Sequence, residues 1–125
     1  MPAGGSVRVL TGAYHQGMAV NSLSVDTDPL EDGVRLRLAG ELDVATAPLA
    51  EDALRTAEAR EPATLAIDLA GLTFMDSTGL RLVMAADTRA REAGRRLVVV
   101  RGPDAVQRVF ELTGVDERIE LVDGV

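Results

Sequence analysis

The chain has 125 residues, 46% hydrophobic and 26% charged, which is the balance of one folded domain with no room for a second. It contains no cysteine, so disulfides, thiolate metal sites and thiol nucleophiles are excluded, and its net charge of −7 argues against a nucleic-acid partner. All 13 basic residues are arginine, so P-loop and Schiff-base chemistry, which need lysine, are excluded as well.

Membrane and targeting segments are not indicated. No apolar run approaches the ~18 residues that a membrane-spanning helix needs. The first six residues, MPAGGS, lack the basic start and the apolar stretch of a signal peptide. We therefore expect a cytoplasmic protein that does not contact a membrane.

The first 21 residues show no sustained hydrophobic period and include four glycines. We predict an N-terminal lead-in over residues 1–21 that is either flexible or adds a short strand at Val7–Leu10, followed by the folded domain over residues 22–125. Apolar and polar residues then alternate in Leu23–Asp26 and in Val34–Ala39, with the turn-rich segment 28–33 between them. This pattern predicts a β-hairpin.

Helix and strand patterns alternate after the hairpin. The helical segments, which are bounded by capping residues, prolines and glycines, are Thr46–Ala59, a helix opened by Asp76 and running to Ala93, and Ala105–Leu112 with Asp104 as its cap. The short apolar runs, which predict strands, are Leu65–Leu69, Arg96–Val100 and Glu120–Val122, and residues 70–75 are predicted as a connection. The order predicts an α/β fold in which helices pack on a mixed sheet.

The most informative segment is Leu65–Leu80, in which a buried strand and a loop lead to Ser77 at a helix start. The first helical turn has unpaired N–H groups and a partial positive charge, so it tolerates a phosphorylated serine. Gly79 costs ~1 kcal/mol relative to alanine inside that turn, so either tight packing or close approach of another molecule requires a bare backbone. The alternative interpretation, a plain helix cap at Asp76, is the more frequent one for such residues.

Four blocks of the chain resemble the anti-sigma-factor antagonists of the STAS superfamily. They follow one another as Gly40–Asp43, the strand around Ile67, Asp76–Leu80 with the sequence DSTGL, and Val109–Gly114. The likeness covers about Leu23 to Val122 and leaves out residues 1–21. It implies a single STAS-like α/β domain with a mixed, mostly parallel sheet of four to five strands and helices packed mainly on one side.

The resemblance implies a binding protein and not an enzyme. Such proteins bind an anti-sigma factor with a histidine-kinase-like ATPase fold, which frees a sigma factor for transcription. That serine kinase then phosphorylates the antagonist and the complex dissociates, and a PP2C-type phosphatase restores the active form. Carried over by position, the phosphoacceptor is Ser77, with Thr78 less favoured.

The resemblance also implies a partner-binding surface. The oligomeric state is open, with a monomer as the default expectation, and no metal or cofactor is expected. The partner-binding residues that the resemblance implies are Asp43, Asp76, Ser77, Thr78, Gly79, Leu80 and Arg81. Asp43 occupies an acidic position in the turn before the first predicted helix, and we expect this turn to lie near Ser77 at the same end of the sheet. We also expect Phe74 and Met75 to be core residues that hold the Ser77 loop in place.

Other functions remain open at this level. A STAS domain can instead be a scaffold subunit of a lipid transporter or a stress-signalling assembly, without a phosphorylation switch. A small enzyme would use Asp43 and Asp76 as an acid–base pair, and magnesium would need Asp43, Asp68 and Asp76 together. The single histidine, His15, lies in the predicted lead-in, where it is poorly placed to serve a catalytic triad.

Overall fold

The computed structural model describes the backbone of residues 5–11 and 21–125, with side chains from Ser22 onward. In this part of the chain six strands form one sheet: β1 Gly5–Thr11, β2 Asn21–Leu30, β3 Gly33–Leu42, β4 Thr64–Met75, β5 Arg96–Val100 and β6 Glu120–Val122. The helices are α1 Ala47–Glu58, α2 Ser77–Ala93, α3 Asp104–Thr113 and a short 3-10 helix at Val115–Glu117.

The six strands lie side by side in their order along the chain. β1, β2 and β3 are antiparallel neighbours, whereas β3, β4, β5 and β6 are parallel. Successive parallel strands move across the sheet in one direction, and right-handed crossovers then bring α1, α2 and α3 to the same face. The predicted α/β domain with a mostly parallel mixed sheet is confirmed, and β1 adds a strand to the four or five expected.

The N-terminal prediction is only partly within the described residues. β1 pairs with β2 from Gly5 opposite Thr27 to Thr11 opposite Asn21, and it includes Val7–Leu10. Residues 1–4 and 12–20, including His15, lie outside the described residues. A separate lead-in over residues 1–21 therefore stays a prediction.

The core lies between the sheet and the three helices. Strand periodicity directs Leu36 and Leu38 of β3 into it, while Arg35 and Arg37 project from the opposite face. β4 is covered on the helix side, where Leu65, Ile67 and Leu69 are fully buried; α3 contributes Val106 and Phe110.

Two predicted boundaries were wrong. β4 does not end at Leu69, because β3 is also long and the two strands stay paired as far as Leu42 and Met75; residues 70–75 are therefore strand and not a connection. The pairing shifts register between Arg37 and Ala39 and again between Gly40 and Glu41, which hides the simple alternation in the sequence. Asp104 is the first residue of α3 and not its cap, a place taken by Pro103.

Candidate functional site at the start of helix α2

The end of the β3–β4 pair places the turn after β3 beside the start of α2. Leu42 pairs with Met75, and the Asp76 N–H donates to the Leu42 carbonyl at 3.3 Å. The turn that begins at Asp43 and the helix that begins at Ser77 therefore leave the same edge of the sheet. The expectation that these two segments are neighbours is confirmed.

Asp76 caps α2. Its backbone is extended, with φ −107°, and its Oδ1 accepts a hydrogen bond from the Thr78 N–H at 2.8 Å. This is the usual arrangement of an N-cap aspartate, and it satisfies one of the first-turn N–H groups. Ser77 follows as the first helical residue; it is exposed, and its hydroxyl has no hydrogen-bond partner within the described residues.

Asp43 is a buried turn-forming residue. Its Oδ1 accepts hydrogen bonds from the Ala45 and Thr46 N–H groups at 3.0 and 3.1 Å. Thr46, fully buried, donates through Oγ1 to the Glu41 carbonyl at 2.7 Å and accepts from the Asp43 N–H at 3.0 Å. These bonds fix the shape of the turn, so one oxygen of the Asp43 carboxylate is used inside the protein.

Gly79 is required by packing within the protein. A Cβ at this position would lie 2.5 Å from Met75 Cγ and 2.9 Å from Leu42 Cδ2, which is closer than side-chain atoms can approach. Of the two explanations left open by the sequence, tight packing against the sheet is therefore sufficient. Leu80 is also buried, so these two residues support the site from below.

The exposed part of the predicted surface is small. Ser77 and Arg81, one helical turn apart, are exposed, while Thr78 and Asp76 are half-buried. An open groove between α1 and α2 continues from this point; its lining residues are Val44, Ala47, Pro48, Glu51, Thr78, Arg81, Leu82 and Ala85. The predicted residues thus form one patch, but Gly79 and Leu80 lie beneath it.

Two exposed apolar residues, one in the turn after β3 and one near the end of β4, were missed or misjudged in the sequence. Val44, at the tip of the Asp43 turn, is 75% exposed. Phe74 is 46% exposed, so its prediction as a core residue was wrong, whereas Met75 is buried as expected. The irregular pairing near Gly40 leaves both Thr73 and Phe74 exposed, an outcome that strict alternation cannot indicate. Exposed apolar side chains grouped around a site are typical of protein-binding surfaces.

The charge around the patch is mainly negative. The three segments that meet there, residues 41–48, 70–76 and 77–84, contain three carboxylates, those of Glu41, Asp43 and Asp76. Arg81 is the single basic residue in these segments, and it forms no ion pair within the described residues. A negative group placed on Ser77 would therefore add to existing negative charge.

The structure does not bring the magnesium candidates together. Asp68 lies on β4, seven residues before Met75, and its Oδ1 accepts a hydrogen bond from the Ala70 N–H at 2.9 Å. At ~3.3 Å per strand residue this places Asp68 roughly 23 Å from Met75, the residue before Asp76. Residues 22–125 contain no cluster of three or more histidine or acidic side chains suited to a metal, and no helix in that range is long and apolar enough to cross a membrane.

Comparison with known proteins assigns the class. Residues 25–123 match the family described as "Mlab, STAS domain". The chain belongs to the STAS domain family.

Individual relatives identify a narrower group within this family. The chain is 37% identical over 90 residues to an anti-sigma-B factor antagonist of Listeria monocytogenes, a match that covers 72% of this chain and 79% of that protein. The crystal structure of an anti-sigma factor antagonist from Mycobacterium paratuberculosis is 28% identical, with a TM-score of 0.73 over 82% of this chain and 87% of that one. Within the STAS family, the chain is thus grouped with the anti-sigma factor antagonists.

The anti-sigma factor antagonist SpoIIAA has the same fold. Its unphosphorylated form gives a TM-score of 0.67 at 23% identity, covering 78% of this chain and 87% of that one. Its phosphorylated form gives 0.62 at 22% identity, covering 78% and 90%. The resemblance seen in the four sequence blocks is confirmed.

Proposed function

We propose that this protein binds an anti-sigma factor of the histidine-kinase-like ATPase fold while Ser77 is unphosphorylated, which releases a sigma factor, and that phosphorylation of Ser77 ends the binding. The observation that supports this is that Ser77 is exposed in the first turn of α2, that its hydroxyl has no hydrogen-bond partner within the described residues, and that exposed Val44 lines the adjoining groove. The relationship to a Listeria anti-sigma-B factor antagonist supports the role.

The environment favours Ser77 over Thr78 as the acceptor. The Ser77 hydroxyl has no partner within the described residues and faces solvent, whereas Thr78 is half-buried against the groove and its N–H is bonded to Asp76. In the proposed reaction Ser77 Oγ attacks the γ-phosphorus of ATP bound to the kinase. The Oγ–P bond forms, ADP leaves, and the hydroxyl proton passes to a base of the kinase. A PP2C-type phosphatase would return the serine and release inorganic phosphate.

Before phosphorylation, an exposed apolar side chain and a neutral serine hydroxyl favour binding of a partner to the patch. A partner that covers the patch buries Val44 and meets a neutral hydroxyl, rather than a charge, at Ser77. Buried apolar anchors commonly supply most of the affinity of such interfaces. The rigid Asp43 turn holds Val44 in place, so little conformational freedom is lost at this anchor.

Phosphorylation of Ser77 should weaken partner binding. It adds about −1.5 to −2 charges to a patch that already contains Asp76, Asp43 and Glu41. Covering that charge with a partner surface suited to a neutral serine costs several kcal/mol, and each ~1.4 kcal/mol is a factor of ten in affinity. A loss of roughly two to three decades is sufficient for an on–off switch.

The chemistry of the site does not favour an enzyme. The carboxylates of Asp43 and Asp76 each accept backbone N–H groups, so both act as structural acceptors in their turns. The remaining rival is a scaffold subunit of another assembly, for which the α2 start is only a docking surface. That rival predicts no phosphorylation of Ser77.

The experiment that tests the proposal is mass spectrometry. The folded protein is incubated with ATP and each candidate anti-sigma kinase of its organism, and intact mass and peptide mapping follow. We expect one shift of about +80 Da, the mass of one phosphoryl group, on Ser77. Ser77→Ala should abolish the shift and Thr78→Ala should retain it. No shift with any kinase, in protein shown to be folded by circular dichroism, would reject the switch and favour the scaffold.

A further inference from the structure

Arg81 differs from the other arginines of α2. Arg89 donates to Glu58 at 2.9 Å, and Arg91 contacts Asp87 at 3.0 Å and the Arg118 carbonyl at 2.8 Å. Arg81 is exposed and forms no ion pair or side-chain hydrogen bond within the described residues. The nearby groove also contains Glu51, but that carboxylate is already shared between Arg55 and Arg89. The Arg81 guanidinium is therefore available.

Helix geometry directs Arg81 toward Ser77. The two residues are four apart in α2, so their Cβ atoms are about 5–6 Å from each other on one face of the helix. Helical side chains lean toward the N-terminus, which inclines the Arg81 side chain over the turn that contains Ser77. An acidic group four residues before a basic one is also the favourable order for such a pair.

We propose that Arg81 binds the phosphoryl group on Ser77 within the same chain. This inference rests on the proposed function, since it concerns the phosphorylated state of Ser77. The planar guanidinium donates charge-assisted hydrogen bonds to the phosphoryl oxygens and closes a phosphoserine–arginine pair across the first two turns of α2.

The pair has two consequences for regulation. It offsets the added charge inside the protein, so the phosphorylated domain keeps its fold despite the nearby carboxylates. It also occupies the one basic side chain of the patch, so the phosphorylated surface offers a partner neither a neutral serine nor a free cation. Arg81 is thus a positioning residue for the phosphorylated state and has no part in the transfer reaction.

The second ionisation of the phosphoserine reports the pair directly. Asp76, Asp43 and Glu41 oppose the dianion and raise its pKa, while a bound Arg81 lowers it. The protein is made with phosphoserine incorporated at position 77 during translation, so no kinase is needed, and the pKa is read by ³¹P NMR titration. We expect the pKa in the Arg81→Gln protein to be about half a unit higher, a threefold change in the acid constant.

Three variants make the test specific. Arg81→Lys keeps a cation without the planar fork and should fall between the native and glutamine proteins. Arg108→Gln removes an exposed arginine of α3 and should leave the pKa unchanged. Equal values in the native and Arg81→Gln proteins, or an equal shift in Arg108→Gln, would overturn the pairing. Because position 77 is phosphorylated without a kinase, this outcome is separate from failure of every kinase to modify Ser77, which would reject the proposed function instead.

Discussion

The N-terminal end of helix α2 is built for exposure, whereas its C-terminal end is built for attachment. At the start, Ser77 and Arg81 are exposed and make no side-chain bonds within the described residues. Toward the end, Arg89 joins α1 through Glu58, Arg91 joins the segment after α3 through the Arg118 carbonyl, and Gly94 closes the helix in a left-handed conformation.

This difference separates the two ends of α2: contacts at the C-terminal end stabilise the fold, and the N-terminal end is the proposed binding surface. Exposed polar side chains can be satisfied by water, so the side chains without protein partners at the start of α2 are free to contact another molecule. The attached end keeps the helix in position, and the exposed end contains the proposed phosphorylation site. Changes at the start of α2 should therefore affect binding, and changes at its end should affect unfolding.

The largest expected effect is on binding and comes from Ser77→Asp. A permanent charge at the exposed end should weaken binding to the anti-sigma factor by roughly two decades, while Ser77→Ala should bind like the native protein and resist release by ATP. Neither variant should unfold below the native temperature, because Ser77 makes no side-chain bond in the described structure and the helix start favours negative charge. Isothermal titration and thermal unfolding measure the two quantities. Native-like affinity of Ser77→Asp would refute charge repulsion as the mechanism.

The next largest effect concerns the two glycines that bracket α2. Gly79→Ala places a Cβ 2.5 Å from Met75 Cγ and should lower the free energy of unfolding by about 1–3 kcal/mol. Gly94→Ala meets no atom within 4 Å but has to adopt φ +70°, which costs about 1 kcal/mol. Urea unfolding gives both values. A smaller loss for Gly79→Ala than for Gly94→Ala would show that the floor of the site is not rigidly packed.

Much of α2 could be predicted from the sequence because its limits depend on local chemistry. The Asp76 cap and the Gly94 stop act within a few residues of themselves, and the predicted end at Ala93 is the observed one. The place of Ser77 at the helix start was predicted for the same reason, whereas its role as phosphoacceptor comes from the family resemblance and stays a prediction. The strands β5 and β6 were also predicted within their observed limits.

The parts that could not be predicted depend on distant partners. The extension of β4 to Met75 needs the long partner strand β3, and the exposure of Phe74 needs the irregular register between them. The exposure of Val44 depends on the shape of the turn, which the Asp43 carboxylate fixes by accepting backbone hydrogen bonds. The pair between Arg89 and Glu58 joins residues 31 apart, a distance over which no sequence period applies.

A smaller effect is expected from Glu58→Gln at the attached end. The two oxygens of the Glu58 carboxylate share the single Arg89 Nε–H, at 2.9 and 3.0 Å, and the Glu58 side chain is only 10% exposed. Removing its charge should lower the free energy of unfolding by about 1 kcal/mol and leave affinity for the anti-sigma factor unchanged. Glu92→Gln, which changes an exposed glutamate in the last turn of α2, is the matched control. A larger effect on binding than on unfolding would contradict the division between the two ends.

The smallest effect should come from acid titration of Asp28, which contacts two arginines of β3 and lies at neither end of α2. Hydrogen bonds from Arg37, at 2.5 Å, and from Arg35 hold the pKa of the Asp28 carboxyl below its ordinary value. A lowered pKa in the folded state stabilises the protein above the ordinary carboxyl pKa, and this contribution is lost as the pH falls through the folded value. In Asp28→Asn the acid limb of the stability curve should therefore be flatter, with no difference in Ser77 phosphorylation at neutral pH. Denaturant midpoints from pH 7 to pH 3 measure the first quantity and intact mass the second. If the variant lost Ser77 phosphorylation, the far side of the sheet would be coupled to the α2 start, and exposure at that end would not be a local property of the helix.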